Sequence, residues 1–133
     1  MPVLGFFDEG QGLVAAPMMR VGVGFGRDRV VGMPAIVDTG SDLCVFPAAL
    51  VGGLAPEKGE PMIILEMGDG RRVPAQLAYP SVTAGDIRET AVASAILPDA
   101  SPIIGRSFLN RLDLRIVAAH GLVRLGAVRD PRA

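Results

Sequence analysis

The chain has 133 residues, half of them apolar, which suffices for one domain with a real core. Its net charge of −1, with no basic stripe, argues against a nucleic-acid partner. One cysteine (Cys44) and one histidine (His120) exclude an intramolecular disulfide and His/Cys metal spacing, so no metal or other cofactor is expected.

The start, "MPVLGFFDEGQG", has no basic n-region and carries Asp8 and Glu9, so it makes a poor signal peptide. No apolar stretch approaches ~18 residues, the length needed to span a membrane, and the chain reads as cytoplasmic with no membrane partner. The apolar "VLGFF" is open to three readings: a dimer-interface strand, a self-cleaved leader, or disorder. "MMRVGVGFG" then alternates, with Met19, Val21, Val23 and Phe25 on one face and Arg20, Gly22 and Gly24 on the other, which is a strand. "GRDR" turns, and "VVGMPAIV" returns as a second strand that runs straight into Asp38. A turn and a strand follow Gly22-x-Gly24-x-Gly26, where a phosphate loop needs a helix, so the glycines do not point to a nucleotide.

"LCVF" is a further short strand. Pro47 opens one helical turn through "AALV", and Gly52-Gly53 ends it. After the loop "GGLAPEKGEP", the segments "MIILEM" and "RRVPAQLAY" flank Gly68-Asp69-Gly70, a hairpin signal because these residues tolerate positive φ. Pro74 cannot donate to a ladder, which places this hairpin at a sheet edge or free of the sheet. A second hairpin turns at Gly85-Asp86. "PIIGRSFLNRLDL" reads as strand, glycine loop and short helix, with Phe108, Leu109 and Leu112 at helical spacing. "LRIV" and "LVRL" close the chain as a hairpin about His120-Gly121. No linker divides this order, so residues 1–133 are expected to form one domain, with a core over about 13–128.

A faint internal echo stands out: two apolar residues followed by a glycine loop, in "IVDTG" and again in "IIGRS". With Ile36-Val37-Asp38-Thr39-Gly40-Ser41 first, the Gly68-Asp69-Gly70 hairpin between, and Ile103-Ile104-Gly105-Arg106 later, the chain resembles the retropepsin-like aspartic proteases. The resemblance implies an all-β, retropepsin-like acid-protease half-barrel with one or two short helices, a closed flap hairpin and a C2 homodimer. It implies an endopeptidase acting on an extended peptide or protein substrate. Asp38 would be catalytic, with Thr39, Gly40 and Ser41 supporting its loop and Met67, Gly68, Asp69 and Gly70 forming the flap over the substrate. Ile103, Ile104 and Gly105 would pack as the second glycine loop, and Asp42 and Arg106 would form an ion pair that braces the first. Thr39 would hydrogen-bond across the two-fold axis, Gly40 would permit close backbone approach, and the Ser41 hydroxyl would bond the outer carboxylate oxygen. Retroviral flaps are richer in glycine, whereas this one has Met67, Asp69 and the pair Arg71-Arg72 at its tip.

The chemistry needs two carboxylates held close together, one ionised to take a proton from water and one protonated. Only one such loop exists here, and the Gly105 loop offers arginine in place of aspartate. Two-fold symmetry supplies the second carboxylate as Asp38 of another copy. Two other readings compete: a dimeric peptide-binding or scaffold module that keeps the fold without turnover, and a Cys44/His120 hydrolase. Cys44 lies among Leu43, Val45 and Phe46, as a buried structural thiol does, and His120 lies in a turn.

Overall fold

Strand-forming alternation runs almost from end to end, and the computed structural model, which describes residues 2–11, 14–25, 29–51 and 62–128, is correspondingly a β structure. Two short strands, β1 (Val3–Leu4) and β2 (Phe6–Asp8), open the chain. Next come β3 (Ala16–Gly24), β4 (Val30–Val37), β5 (Cys44–Pro47) and the one-turn helix α1 (Ala48–Val51). The middle holds β6 (Met62–Glu66), β7 (Arg72–Ala78), β8 (Ser81–Ala84), β9 (Ile87–Glu89) and β10 (Ser94–Leu97). The last quarter is β11 (Ile103–Ile104), a second one-turn helix α2 (Arg106–Leu109), β12 (Leu112–Val117) and β13 (Leu122–Ala127). The turn residues 26–28 and the loop 52–61, with Gly52-Gly53, lie outside the described residues.

The larger sheet runs β6-β7-β10-β5-β11-β4-β3-β8-β9, with β2 added to β3; the smaller one runs β1-β13-β12. Both ends of the larger path are free edges, so the sheet is open and does not close into a barrel. Along β3 the expected alternation holds: Met19, Val21 and Val23 are buried and Arg20 is exposed. β3 and β4 pair antiparallel over most of their length, from Met18 opposite Ile36 to Gly24 opposite Val30.

The order of strands around β5 positions the site. β5 is central, parallel to β10 and antiparallel to β11, and all four of its residues are buried. Its side chains therefore face two apolar layers in alternation. Cys44 and Phe46 join the main core with Val23, Met33, Val37, Ile104 and Phe108. Val45 joins a smaller cluster with Ala75, Ala95 and Leu97, flanked by Leu43, Ile63, Leu65, Val73 and Ile103.

Three local expectations need adjusting. "VLGFF" is ordered within the chain: β1 pairs with β13, and β2 pairs with β3, Phe6 opposite Met18. Leu112 is not helical. α2 stops after one turn, and Arg111 donates from its guanidinium to the Thr90 and Ala91 carbonyls at 2.7 and 3.1 Å, where the chain leaves the helix to start β12. At the tip of the β6–β7 hairpin only Gly70 takes positive φ, at 87°. Pro74 does sit in an edge hairpin: it faces Ile64 of the outermost strand and lies outside the Gln76–Ala78 stretch that pairs with β10. Among the described residues no helix is long and apolar enough to cross a membrane.

Candidate active site

β4 delivers Asp38 at its C-terminal end, and β11 lies alongside it in parallel, Ile103 opposite Ile36 and Ile104 opposite Val37. The two halves of the sequence echo are thus neighbours in space. The Asp38 amide donates to the Ile104 carbonyl at 3.0 Å, which fixes the chain where the strand becomes a loop. The loop then turns back on its own carboxylate: Gly40 N–H donates to Asp38 Oδ1 at 2.9 Å, and Ser41 N–H to the Asp38 carbonyl at 3.2 Å. A Cβ at position 40 would stand 3.1 Å from the same Oδ1. Asp38 is half-buried, and its Oδ2 has no partner among the described residues. Thr39 is exposed, and its hydroxyl makes no bond within the described chain.

α2 holds this loop from behind. A helix start leaves backbone N–H groups unsatisfied, and here the loop supplies their acceptors. Arg106 N–H donates to the Ser41 carbonyl at 2.8 Å and Ser107 N–H to the Asp42 carbonyl at 2.9 Å. The Ser107 hydroxyl accepts the Cys44 amide at 3.1 Å and donates to Cys44 Sγ at 3.6 Å. Gly105 makes this approach possible. Its φ of −103° is one any residue adopts, but a Cβ there would meet the Leu43 carbonyl oxygen at 2.2 Å and the Ser41 carbonyl oxygen at 2.8 Å. Space, not conformation, demands glycine at this position.

Arg106 Nη2 pairs with Asp42 Oδ1, as the resemblance implied. The pair is exposed, Asp42 by 80%, and an exposed ion pair contributes only about 0–1 kcal/mol. The backbone N–H groups of Arg106 and Ser107 hold the same loop independently of the guanidinium. Ser41 differs from expectation. Its hydroxyl donates to the Leu43 carbonyl at 2.7 Å, so its one proton is engaged inside the loop and does not reach Asp38; the Gly40 amide occupies the carboxylate instead. Ser41 supports the loop through that bond and through its own carbonyl.

Ser107 has no signature in the sequence, because a serine in a first helical turn is ordinary; only the approach of α2 to β5 gives it a role. Cys44 has no exposed surface, and burial pushes its thiol up from its usual value. A sealed, protonated thiol cannot attack a substrate, and His120 is exposed in the turn between β12 and β13. Among the described residues no group of His, Cys, Asp and Glu could hold a metal ion.

The β6–β7 hairpin leans on the same flank as the Asp38 loop, because its Ile63, Leu65 and Val73 pack in the smaller cluster with Leu43 and Ile103. Its tip is a turn from Met67 to Gly70, closed by Gly70 N–H to the Met67 carbonyl at 2.9 Å. Asp69 folds over that turn: Oδ1 accepts the Arg71 amide at 3.0 Å and Oδ2 the Arg71 Nε at 2.6 Å. These bonds, the amide first, hold the Asp69 carboxyl below its usual 3.8 although it is exposed. An apolar cleft of about 210 Å³, lined by Met18, Met33, Pro34, Ile36, Leu50 and Pro102, lies beside the strand leading to Asp38. A larger, charged cleft of about 680 Å³ between β9 and β13 shares no residue with the Asp38 loop.

Two outcomes follow from this geometry. Gly105→Ala is expected to destabilise the fold by about 1–3 kcal/mol or more, since backbone oxygens cannot move aside, while Arg106→Lys costs under about 1 kcal/mol. Urea unfolding monitored by circular dichroism checks both; a larger loss for the lysine variant would mean that the guanidinium is the brace. The Asp69 carboxyl is expected to titrate below 3.8. Its bonds to Arg71 are then fully present above that value and lost only as pH falls through the lower, folded value. Carboxyl carbon NMR reads the midpoint directly, and Arg71→Ala should move it part of the way back up; a wild-type midpoint at or above 3.8 would contradict the assignment.

No curated protein matches this chain closely enough to count as a relative. Its fold is similar to the crystal structure of a retropepsin-like aspartic protease from Rickettsia conorii, with a TM-score of 0.70 and 15% identity over 96% of this chain and 91% of that one. The sequence model of the retroviral aspartyl protease family matches residues 14–117, a span that takes in the Asp38 loop, the β6–β7 hairpin and the Gly105 loop. By that match, over most of its length, the chain belongs to the retroviral aspartyl protease family.

Proposed function

We propose that the protein is a homodimeric aspartic endopeptidase in which Asp38 of each of two subunits contributes one half of a single catalytic pair. The observation that carries this reading is the state of the Asp38 carboxylate. One oxygen is pinned by the Gly40 amide and the other has no partner among the described residues, on a half-buried side chain, in a chain with one Asp-Thr-Gly loop. Within a family of aspartic proteases that arrangement is half of a site. A C2 axis through the loop completes it without a second motif. The Thr39 hydroxyl, exposed and unbonded within the described chain, is available to donate across that axis.

The chemistry then follows from two like charges. Carboxylates ~3 Å apart cannot both ionise, so the pair holds one proton between them. The ionised member takes a proton from water as the water oxygen bonds to the peptide carbonyl carbon. The protonated member gives its proton to the carbonyl oxygen, and a neutral diol forms. The carboxyl that took the water proton then gives it to the amide nitrogen while the other takes a proton from a diol hydroxyl. The carbon–nitrogen bond breaks, a carboxylic acid and an amine are left, and the pair again holds one proton. No metal or cofactor is required. The substrate is a peptide in extended form, since backbone hydrogen bonds with a hairpin need that geometry. The β6–β7 hairpin, with Met67 to Gly70 at its tip, acts as the flap, and the half-buried Leu43, Ile63, Val73 and Ile103 form walls for apolar side chains.

Asp38→Asn tests the reading, since the amide is nearly isosteric and cannot share the proton. The variant is expected to fold and dimerise but not to cleave. Mixed with wild type and allowed to exchange subunits, it should inactivate in trans. Active dimers are then only those with two wild-type chains, so an equal mixture keeps about one quarter of the activity. Activity that falls in simple proportion to the wild-type fraction would mean that each chain works alone. A wild type that binds peptides and never cleaves them would leave the scaffold reading.

A further inference from the structure

Asp69 and Arg71 are the charged groups at the hairpin tip, and neither the Asp38 chemistry nor the α2 brace uses them. Their placement follows from the turn. Positive φ at Gly70 after a closed four-residue turn makes a G1 bulge, the common ending of a three-residue hairpin loop. The bulge brings Arg71 opposite Met67, whose N–H donates to the Arg71 carbonyl at 2.7 Å. Strand alternation then puts Arg71 on the same face as Met67, Val73 and Ala75, and Val73 and Ala75 share the smaller cluster with Leu43 and Ile103, the residues next to the two glycine loops. Glu66, Arg72 and Pro74 take the opposite, exposed face, with Glu66 directly across from Arg72. Arg71 is 69% exposed. Its amide and Nε are engaged by Asp69, and its two terminal nitrogens have no partner among the described residues.

We propose that Asp69 and Arg71 form a clasp that holds the guanidinium on the substrate-facing side of the hairpin, so that its two terminal nitrogens donate to oxygen acceptors of the bound peptide. The inference rests on reading this hairpin as the flap of a peptidase. An unrestrained arginine would lose several rotamers each time a peptide bound. The clasp removes that loss beforehand, and the planar guanidinium keeps a forked pair of donors free while its Nε is held. Arg71 is thereby a specificity residue and Asp69 the residue that positions it. The fitting acceptors are backbone carbonyls of an extended chain or the carboxylate of an acidic side chain.

Two measurements on the full chain separate this proposal from the peptidase reading. The first is hydrogen exchange at the Arg71 amide, which needs no turnover. Asp69→Ala should speed it roughly tenfold, whereas Asp69→Asn, whose amide oxygen still accepts, should keep much of the protection. The second is peptide affinity in the Asp38→Asn background, where substrate binds uncleaved, alongside KM and kcat in the Asp38 enzyme. Arg71→Ala should weaken affinity and raise KM roughly tenfold with kcat within about twofold, and Arg71→Lys should recover part of the loss. Matched peptides with Glu or Gln at successive positions decide the acceptor: an equal loss identifies carbonyls, and a greater loss for Glu an acidic side chain. Unchanged exchange in Asp69→Ala, or unchanged peptide affinity in Arg71→Ala, overturns the clasp even if the enzyme cleaves. Absence of turnover in the unsubstituted chain overturns the peptidase reading alone, because exchange and affinity still report on the clasp.

Discussion

The hydrogen bond from the Asp38 amide to the Ile104 carbonyl joins two parts of the chain that are far apart in sequence. It ends a parallel ladder only two residues long, and everything around Asp38 is hung from it. Once Ile103 and Ile104 lie beside Ile36 and Val37, Gly105 is pressed against the loop and α2 must start where Ser41 and Asp42 present their carbonyls. One such bond has a net worth of about 1 kcal/mol, so the joint is not strong in isolation. Its strength is mutual. Losing an acceptor leaves its donor without a partner, and the Gly105 contact with the Leu43 and Ser41 carbonyls leaves no slack to repair it.

This joint also decides what surrounds the carboxylate. Because β5 is buried on both sides, the chain can pack its main core beneath the Asp38 strand and a second, smaller cluster beside it. The second cluster links Leu43 and Ile103, at the roots of the two glycine loops, to Ile63, Leu65 and Val73 of the hairpin. Loop and hairpin are thus held by one patch of aliphatic contact. The hairpin tip, from Met67 to Gly70, lies outside that cluster. There the chain relies on turn chemistry and on charge, with Gly70 in the left-handed region and Asp69 folded back on Arg71.

Much of this was legible in residue order. Strands alternate visibly, and Gly-Asp pairs mark their turns. The echo of "IVDTG" in "IIGRS" identified two segments that the fold places side by side. What escaped the sequence depends on register between distant segments. Nothing local distinguishes the Ser41 hydroxyl that bonds Asp38 from one that bonds Leu43; the choice depends on how tightly the loop curls. Ser107 gains its partners only through the approach of α2 to Cys44. Arg106 was legible as a charge partner for Asp42, yet the sequence could not reveal that its backbone N–H also bonds the Ser41 carbonyl. Leu112 kept helical spacing with Phe108, but the Arg111 bonds to Thr90 and Ala91 occur where the helix has already ended.

Cys44 is the only thiol in the chain, and the fold has closed it away. Its sulfur accepts the Ser107 hydroxyl, its surface is fully covered, and burial keeps its proton on. The protein is therefore chemically silent toward reagents that seek thiolates. A cysteine introduced on the exposed outer face of the hairpin, at Arg72 or Ile64, would be the only reactive one in the molecule. Spin or fluorescent labels placed there would report a single site per chain, and in the proposed dimer the distance between two such labels would measure how the hairpins stand to each other, with the native thiol left in place.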